Sequence, residues 1–147
     1  MRRQNRSLFA WIGGTAAAVI VLASAFVSRI GPADPAADIG DQRAAVARFH
    51  ELVRTQAWSD VYRLMTEPPT REPDEFADLM RAQVREHGRV VAVRTRGMRL
   101  MRSRTVPLLE VRESVTTTKN GRTTTHDTVS YFARREERWL FAFSAPA

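Results

Sequence analysis

The sequence predicts an α+β domain in which three helices pack on a curved antiparallel sheet of about four strands, with a transmembrane helix before the domain. Three observations predict this arrangement. Residues 41–88 carry apolar side chains at helical spacing, residues 90–144 are rich in β-branched and aromatic residues, and residues 8–28 carry no charge. Helices that precede a run of strands are typical of α+β domains.

The composition limits the chain to one domain and excludes much familiar chemistry. Its 147 residues suffice for a single hydrophobic core. Because it has no cysteine, disulfides, thiolate nucleophiles and iron–sulfur clusters are excluded. The three histidines, at positions 50, 87 and 126, show no ligand spacing, so we expect no metal and no cofactor. The formal charge is +7, and Lys119 is the only lysine among 23 basic residues.

The N-terminal segment predicts a single-pass membrane protein. Residues 1–7 form a basic tail, and residues 8–28 are long enough, as a helix, to span the roughly 30 Å hydrocarbon core of a bilayer. The basic tail places the N-terminus in the cytoplasm and the remaining chain outside it. The alternative is a signal peptide cleaved after Ala25, which would release a secreted protein. Residues 29–40 contain two prolines and no apolar period, so they predict a linker to a domain at 41–147.

Three helices are expected at the start of this domain. Residues 41–56 have one apolar face, formed by Ala45, Phe49, Leu52 and Val53. Ser59 is the expected cap of a short helix that ends before Pro68. A third helix is expected from Pro73 to Gly88, with acidic residues in its first turn and basic residues in its last.

Four strands are expected after Gly88, at residues 90–93, 106–118, 123–134 and 139–144. Asn120 and Gly121 are a typical two-residue hairpin turn, and residues 135–138 form a charged turn. In the second strand, one side is apolar and the other polar, with Leu109, Val111 and Val115 opposite Glu110, Arg112 and Ser114. This alternation predicts an antiparallel sheet with one buried face.

This order of elements, together with the short helix at Trp58 and the closing strand that opens at Trp139 after a charged turn, resembles the nuclear transport factor two-like (cystatin-like) α+β cone superfamily. The resemblance covers almost all of residues 38–143. It implies a conical pocket between the helices and the sheet, which members use for small ligands, for isomerase chemistry or for docking on partners. Fold alone does not decide between these uses.

The candidate pocket residues follow from that resemblance. Enzymatic members place a carboxylate base and a hydroxyl or imidazole in the pocket, which implies Asp60 or Asp127 as base and Tyr62, Tyr131 or His126 as donor. The candidate pocket walls are Tyr62, Tyr131, Trp139 and Phe141. The alternative is that the tyrosines are core aromatics and that the two aspartates lie at the surface. No catalytic motif is present.

A second candidate site is an arginine-rich stretch at residues 89–104, which contains no acidic residue. Its candidate anion-binding residues are Arg94, Arg96, Arg99, Arg102 and Arg104. Nucleic acid is not expected as the partner of an exported domain, so the alternatives are anionic lipid, an acidic protein surface, or a charged strand edge that discourages aggregation.

Two functions remain open at this point. The first is a non-enzymatic, membrane-anchored accessory protein of the cell envelope whose exported domain docks on a protein partner or forms a homodimer. This layout resembles that of bacterial accessory membrane proteins in lipid-import and type IV secretion systems. The second is an exported ligand-binding or isomerase-like domain that uses the conical pocket.

Overall fold

Three helices precede four strands in the computed structural model, which describes residues 40–101 and 106–147. The elements are α1 (Gly40–Arg54), α2 (Trp58–Arg63), α3 (Pro73–His87), β1 (Arg89–Met101), β2 (Leu108–Lys119), β3 (Arg122–Arg135) and β4 (Arg138–Pro146). The predicted α+β class, with three helices and a four-stranded antiparallel sheet, is therefore confirmed.

The predicted basic tail (1–7), the membrane segment (8–28) and the predicted linker (29–40) up to residue 39 lie outside the described residues, and Gly40, the last predicted linker residue, begins α1. No helix within the described ranges is long and apolar enough to cross a membrane.

The helix ends show where local signals decide the structure. As expected, α3 begins at Pro73 and stops at Gly88, whose φ of 97° is open to glycine and strained for other residues. The prediction that Ser59 caps the short helix was wrong. Helix α2 begins one residue earlier, at Trp58, and its N-cap Ala57 makes no side-chain bond. Trp58, in the first turn, is buried in the core cluster.

The sheet is an antiparallel meander in the order β1-β2-β3-β4. The β2–β3 hairpin turns at Asn120 and Gly121, as predicted, with φ values of 51° and 73°. Strand β1 is much longer than the predicted residues 90–93, because the arginine-rich stretch continues the pairing with β2 as far as Met101. Arg94 and Arg99 therefore lie on a strand, opposite Ser114 and Glu110.

The three helices cover one face of the sheet, here called the inner face. Its core contains four phenylalanines, one from each of α1, α3, β3 and β4, and three of them form one cluster of rings. Phe49 stacks on Phe141 with ring centroids 4.7 Å apart, and Phe132 meets both rings edge-on at 5.6 and 5.7 Å. The other face, here called the outer face, carries a smaller apolar cluster of strand residues around Leu108 and Tyr131. Because side chains alternate along a strand, neighbouring residues belong to different faces, except at register shifts such as those between Thr95 and Gly97 in β1 and between Phe141 and Phe143 in β4.

Strand β4 is also tied to the end of α2. Met65 forms a parallel bridge with Phe141, whose backbone N–H donates to the Leu64 carbonyl at 2.7 Å. The backbone N–H of Thr66 donates in turn to the Phe141 carbonyl at 2.9 Å. The edge of the sheet at β4 is thus partly closed by the chain that follows α2.

Candidate functional site

Two of the predicted pocket residues lie on α2, where Asp60 is at the surface and Tyr62 is half-buried against the Phe76 ring, with centroids 5.7 Å apart. Asp60 is exposed and accepts a hydrogen bond from Arg63 at 3.3 Å. The Tyr62 hydroxyl donates to the backbone carbonyls of Thr70 and Arg71, at 3.1 and 2.7 Å. Tyr62 therefore fastens the loop before α3, and neither residue is placed as an acid–base group.

The three remaining pocket candidates do not line a common space. Trp139 and Phe141 belong to the inner core, whereas Tyr131 lies on the outer face. The alternation of β3 explains the difference, because Tyr131 precedes Phe132, which packs on Phe141. The expectation of one pocket lined by these side chains is therefore corrected.

Tyr131 belongs instead to a charged network on the outer face. Its hydroxyl donates to Glu110 Oε2 at 3.3 Å, and that carboxylate also pairs with Arg99 at 3.0 Å and Arg112 at 3.5 Å. The Tyr131 ring stacks on Phe143 with centroids 4.6 Å apart. Burial raises the pKa of Tyr131, and the Glu110 carboxylate raises it further, against the opposing effect of the two arginines.

A second network lies further along the same face. The Arg96 Nε donates to Ser114 Oγ at 2.6 Å, and Ser114 Oγ donates to Asp127 Oδ1 at 2.5 Å. Arg96 and Asp127 themselves are 3.7 Å apart. Asp127, a candidate base, is thus an ion-pair partner at the surface, and its neighbour His126 lies on the opposite face of β3 in register with Val115.

The predicted anion-binding arginines are partly compensated. Arg96 and Arg99 each have a carboxylate partner, whereas Arg94 has none among residues 40–101 and 106–147. Arg102 and Arg104 lie outside the described residues. In and beside these two networks, four arginines, with Arg94 and Arg112 included, stand against the two carboxylates of Glu110 and Asp127. This part of the outer face therefore carries more positive than negative charge.

A buried polar cluster on the inner face was not predicted from the sequence. The His50 Nε2 lies 2.5 Å from Glu113 Oε1, and Ser130 Oγ donates to Glu113 Oε2 at 2.8 Å. The Glu113 side chain is completely buried. The alternation along β2 does indicate a buried Glu113, because this residue falls between Val111 and Val115 on the apolar side of the strand.

This cluster joins α1 to the middle of the sheet. His50 is 11% exposed and borders a cleft of about 290 Å³ between α1 and β1. Because Glu113 itself has no exposed side-chain surface, it cannot contact a ligand directly. It can hold the imidazole in one orientation, as a carboxylate does for a structural or catalytic histidine.

The sequence matches no known protein family, and no curated protein is significantly similar to it.

Proposed function

We propose that this chain is a non-enzymatic accessory protein of the cell envelope, anchored by residues 8–28, whose exported domain docks on an acidic protein surface. The docking surface is the outer face of the sheet. The proposal is carried by one observation, the set of four arginines and two carboxylates at fixed positions on that face. We also propose that the domain belongs to the nuclear transport factor two-like α+β cone superfamily.

The exposure of these arginines supports docking. The side chains of Arg96, Arg99 and Arg112 are 60%, 48% and 66% exposed although each lies within 4 Å of a carboxylate oxygen. Their carboxylate partners hold the guanidinium groups in place, which reduces the entropy lost when a partner binds. Arginine is also enriched in protein interfaces, where its planar fork pairs with carboxylates.

The pattern favours a protein over a lipid surface as the partner. Lipid headgroups attract uncompensated basic clusters, and each added positive charge strengthens the attraction. Here half of the arginine charge is cancelled by Glu110 and Asp127, and the stacked pair of Tyr131 and Phe143 lies beside them. A surface on which positive and negative groups alternate suits a partner with complementary charges at defined positions.

The same charges disfavour a homodimer through this face. Two copies that met face to face would bring their arginines together, and like charges at close range cost several kcal/mol. A heterologous partner with excess carboxylates would instead gain from Arg94, which has no carboxylate partner within the described ranges.

The packing on the inner face is the reason that we favour docking over ligand binding inside the cone. The interior between α1 and strands β3 and β4 is filled by the rings of Phe49, Phe132 and Phe141. Each of the three side chains is almost completely buried. A ligand at this place would have to displace part of the core.

Site-specific crosslinking of the full chain in its own membranes tests the proposal. A photo-crosslinking amino acid in place of Arg112 should capture a protein through an Asp- and Glu-rich segment. The same amino acid in place of Arg81, exposed on α3, is the control and should not. Arg94→Glu should reduce the crosslink strongly, whereas Arg48→Glu on α1 should leave it unchanged.

Other products would contradict the proposal. A crosslink only to lipid would indicate a membrane-binding face, and a crosslink only to a second copy would indicate a homodimer. If Arg94→Glu and the unchanged chain gave the same yield of crosslinked protein, the outer face would not be the docking surface.

A further inference from the structure

A basic cleft lies where the C-terminal end of α3 meets the hairpin between β2 and β3. Its volume is about 600 Å³, and its lining residues are His87, Thr117, Lys119, Asn120, Arg122 and Thr124. This volume is within the range of roughly 300–1,000 Å³ that is typical of small-molecule sites. The cleft shares no residue with the charged networks of the outer face.

The lining residues offer hydrogen-bond donors and no carboxylate. Arg122 has no ion-pair partner elsewhere in the part of the chain that the structure describes, and the side chains of Thr117, Asn120 and Thr124 have no hydrogen-bond partner there. Thr117 and Thr124 are directly opposite each other in the sheet, so their hydroxyls start from adjacent backbone positions. A set of donors that line one cleft and bond nothing else in the described residues is suited to an anion with several oxygens.

Two negative groups near the cleft are already engaged. The C-terminal end of a helix carries partial negative charge, and here the Lys119 ammonium donates to the Glu86 carbonyl in the last turn of α3. The Glu86 carboxylate lies 3.7 Å from His87 Nε2, and its side chain is 69% exposed. Lys119 therefore offsets the helix end, and Arg122 keeps its full charge for a ligand.

We propose that this cleft binds a phosphate group of a small ligand. The Arg122 guanidinium provides a planar fork for two phosphate oxygens. The hydroxyls of Thr117 and Thr124 and the amide of Asn120 bond the remaining oxygens, and His87 borders the same space. A tetrahedral phosphate accepts hydrogen bonds from several directions at once, which fits donors that come from two strands and their turn.

The histidine signals of the full chain in mild detergent test this inference by nuclear magnetic resonance. Inorganic phosphate and inorganic pyrophosphate are the two probes. Either probe should shift the ring signals of His87 saturably, while His50 and His126, which do not line the cleft, serve as internal references. A common, non-saturable drift of all three histidines, or no shift at millimolar phosphate, would overturn the inference.

Matched arginine variants identify the binding group. Arg122→Gln should weaken phosphate binding by roughly tenfold, since it removes a charge-assisted hydrogen bond. Arg135→Gln is the control, because Arg135 is exposed at the other end of the same strand and next to the other turn. Arg122→Lys should give an intermediate affinity because it keeps the charge and loses the fork. If Arg122→Gln and Arg135→Gln lost the same amount of phosphate affinity, Arg122 would not be the group that binds phosphate.

The source of the phosphate group is distinguished in lipid nanodiscs. If His87 shifts in phosphatidylglycerol nanodiscs and not in phosphatidylcholine nanodiscs, with no phosphate added, the cleft takes the phosphate of an anionic lipid headgroup. If both nanodiscs give the same spectrum and only the added phosphate shifts His87, the ligand is soluble. Both results support phosphate recognition, and the docking proposal does not depend on either.

Discussion

His50 on α1 and Glu113 on β2 meet inside the fold with 2.5 Å between the imidazole Nε2 and the carboxylate Oε1, although 63 positions separate them in the sequence. The second carboxylate oxygen accepts the Ser130 hydroxyl at 2.8 Å. A carboxylate without solvent contact is costly unless such partners stabilise it. The pair therefore links α1 to the centre of the sheet by a polar contact within an otherwise apolar interface.

Removal of one partner of this pair should destabilise the domain strongly. We expect His50→Ala to lower the free energy of unfolding by about 1–3 kcal/mol, because it removes one hydrogen-bond partner of the buried Glu113 carboxylate. The control is His87→Ala, whose partner Glu86 is exposed, and which should cost less than about 1 kcal/mol. Urea unfolding of the full chain in detergent measures both. Equal effects of the two variants would contradict a stabilising role for the buried pair.

Two glycines of the same sheet region should respond oppositely to alanine. Gly88 has a φ of 97°, and a Cβ there would lie 2.5 Å from the Thr118 carbonyl oxygen, so Gly88→Ala should destabilise the domain by more than about 1 kcal/mol. Gly97 has no atom within 4 Å of the corresponding position and no positive φ, so Gly97→Ala should be neutral or slightly stabilising. Thermal unfolding compares the two. A tolerated Gly88→Ala would mean that α3 does not end against β2 as described.

The aromatic core should tolerate little truncation. Phe141 is almost completely buried against two rings, so Phe141→Ala should lower the free energy of unfolding by about 3–5 kcal/mol. Phe143→Ala, on the half-buried outer stack, is the comparison and should cost clearly less. Urea unfolding measures the difference. A small effect of Phe141→Ala would indicate an interior that adapts to volume changes, and would reopen ligand binding inside the cone.

The sequence predicts most of the fold because its signals are local. The helical period up to Gly88, the proline at Pro73 and the turn at Asn120 each act within a few residues, and the structure agrees with them. The length of β1 was underestimated because arginines have no β-preference of their own, and only pairing with β2 makes them a strand.

The candidate site was harder to predict because it depends on contacts between distant residues. Tyr131 was assigned to the pocket side, yet its face is decided by the register that places Phe132 against Phe141. The link between His50 and Glu113 depends on where α1 crosses the sheet. The spacing of apolar residues in the sequence does not show that position. The alternation of β2 predicts that Glu113 lies on the apolar side, but it does not predict that His50 is its partner.

The stability of the domain at high pH should depend on Tyr131. Burial and the Glu110 carboxylate raise the pKa of Tyr131 above its usual value of 10.0, so folding favours the neutral phenol. This contribution to stability is complete below the unfolded-state pKa and is lost as the pH rises through the folded-state pKa, where two anions would face each other. Above about pH 10 the unchanged chain should therefore lose stability faster than Tyr131→Phe.

The absorbance of tyrosinate during an alkaline titration measures the shift directly. The chain has two tyrosines, so Tyr131→Phe and Tyr62→Phe each leave one to observe. In Tyr62→Phe the remaining signal should titrate late and together with unfolding, since ionised Tyr131 loses its hydrogen bond to Glu110. Glu110→Gln should move that titration to lower pH, because it removes the negative charge that opposes ionisation. A Tyr131 signal that titrates near 10 in the folded chain, unchanged by Glu110→Gln, would place the hydroxyl away from the carboxylate and remove the centre of the proposed docking face.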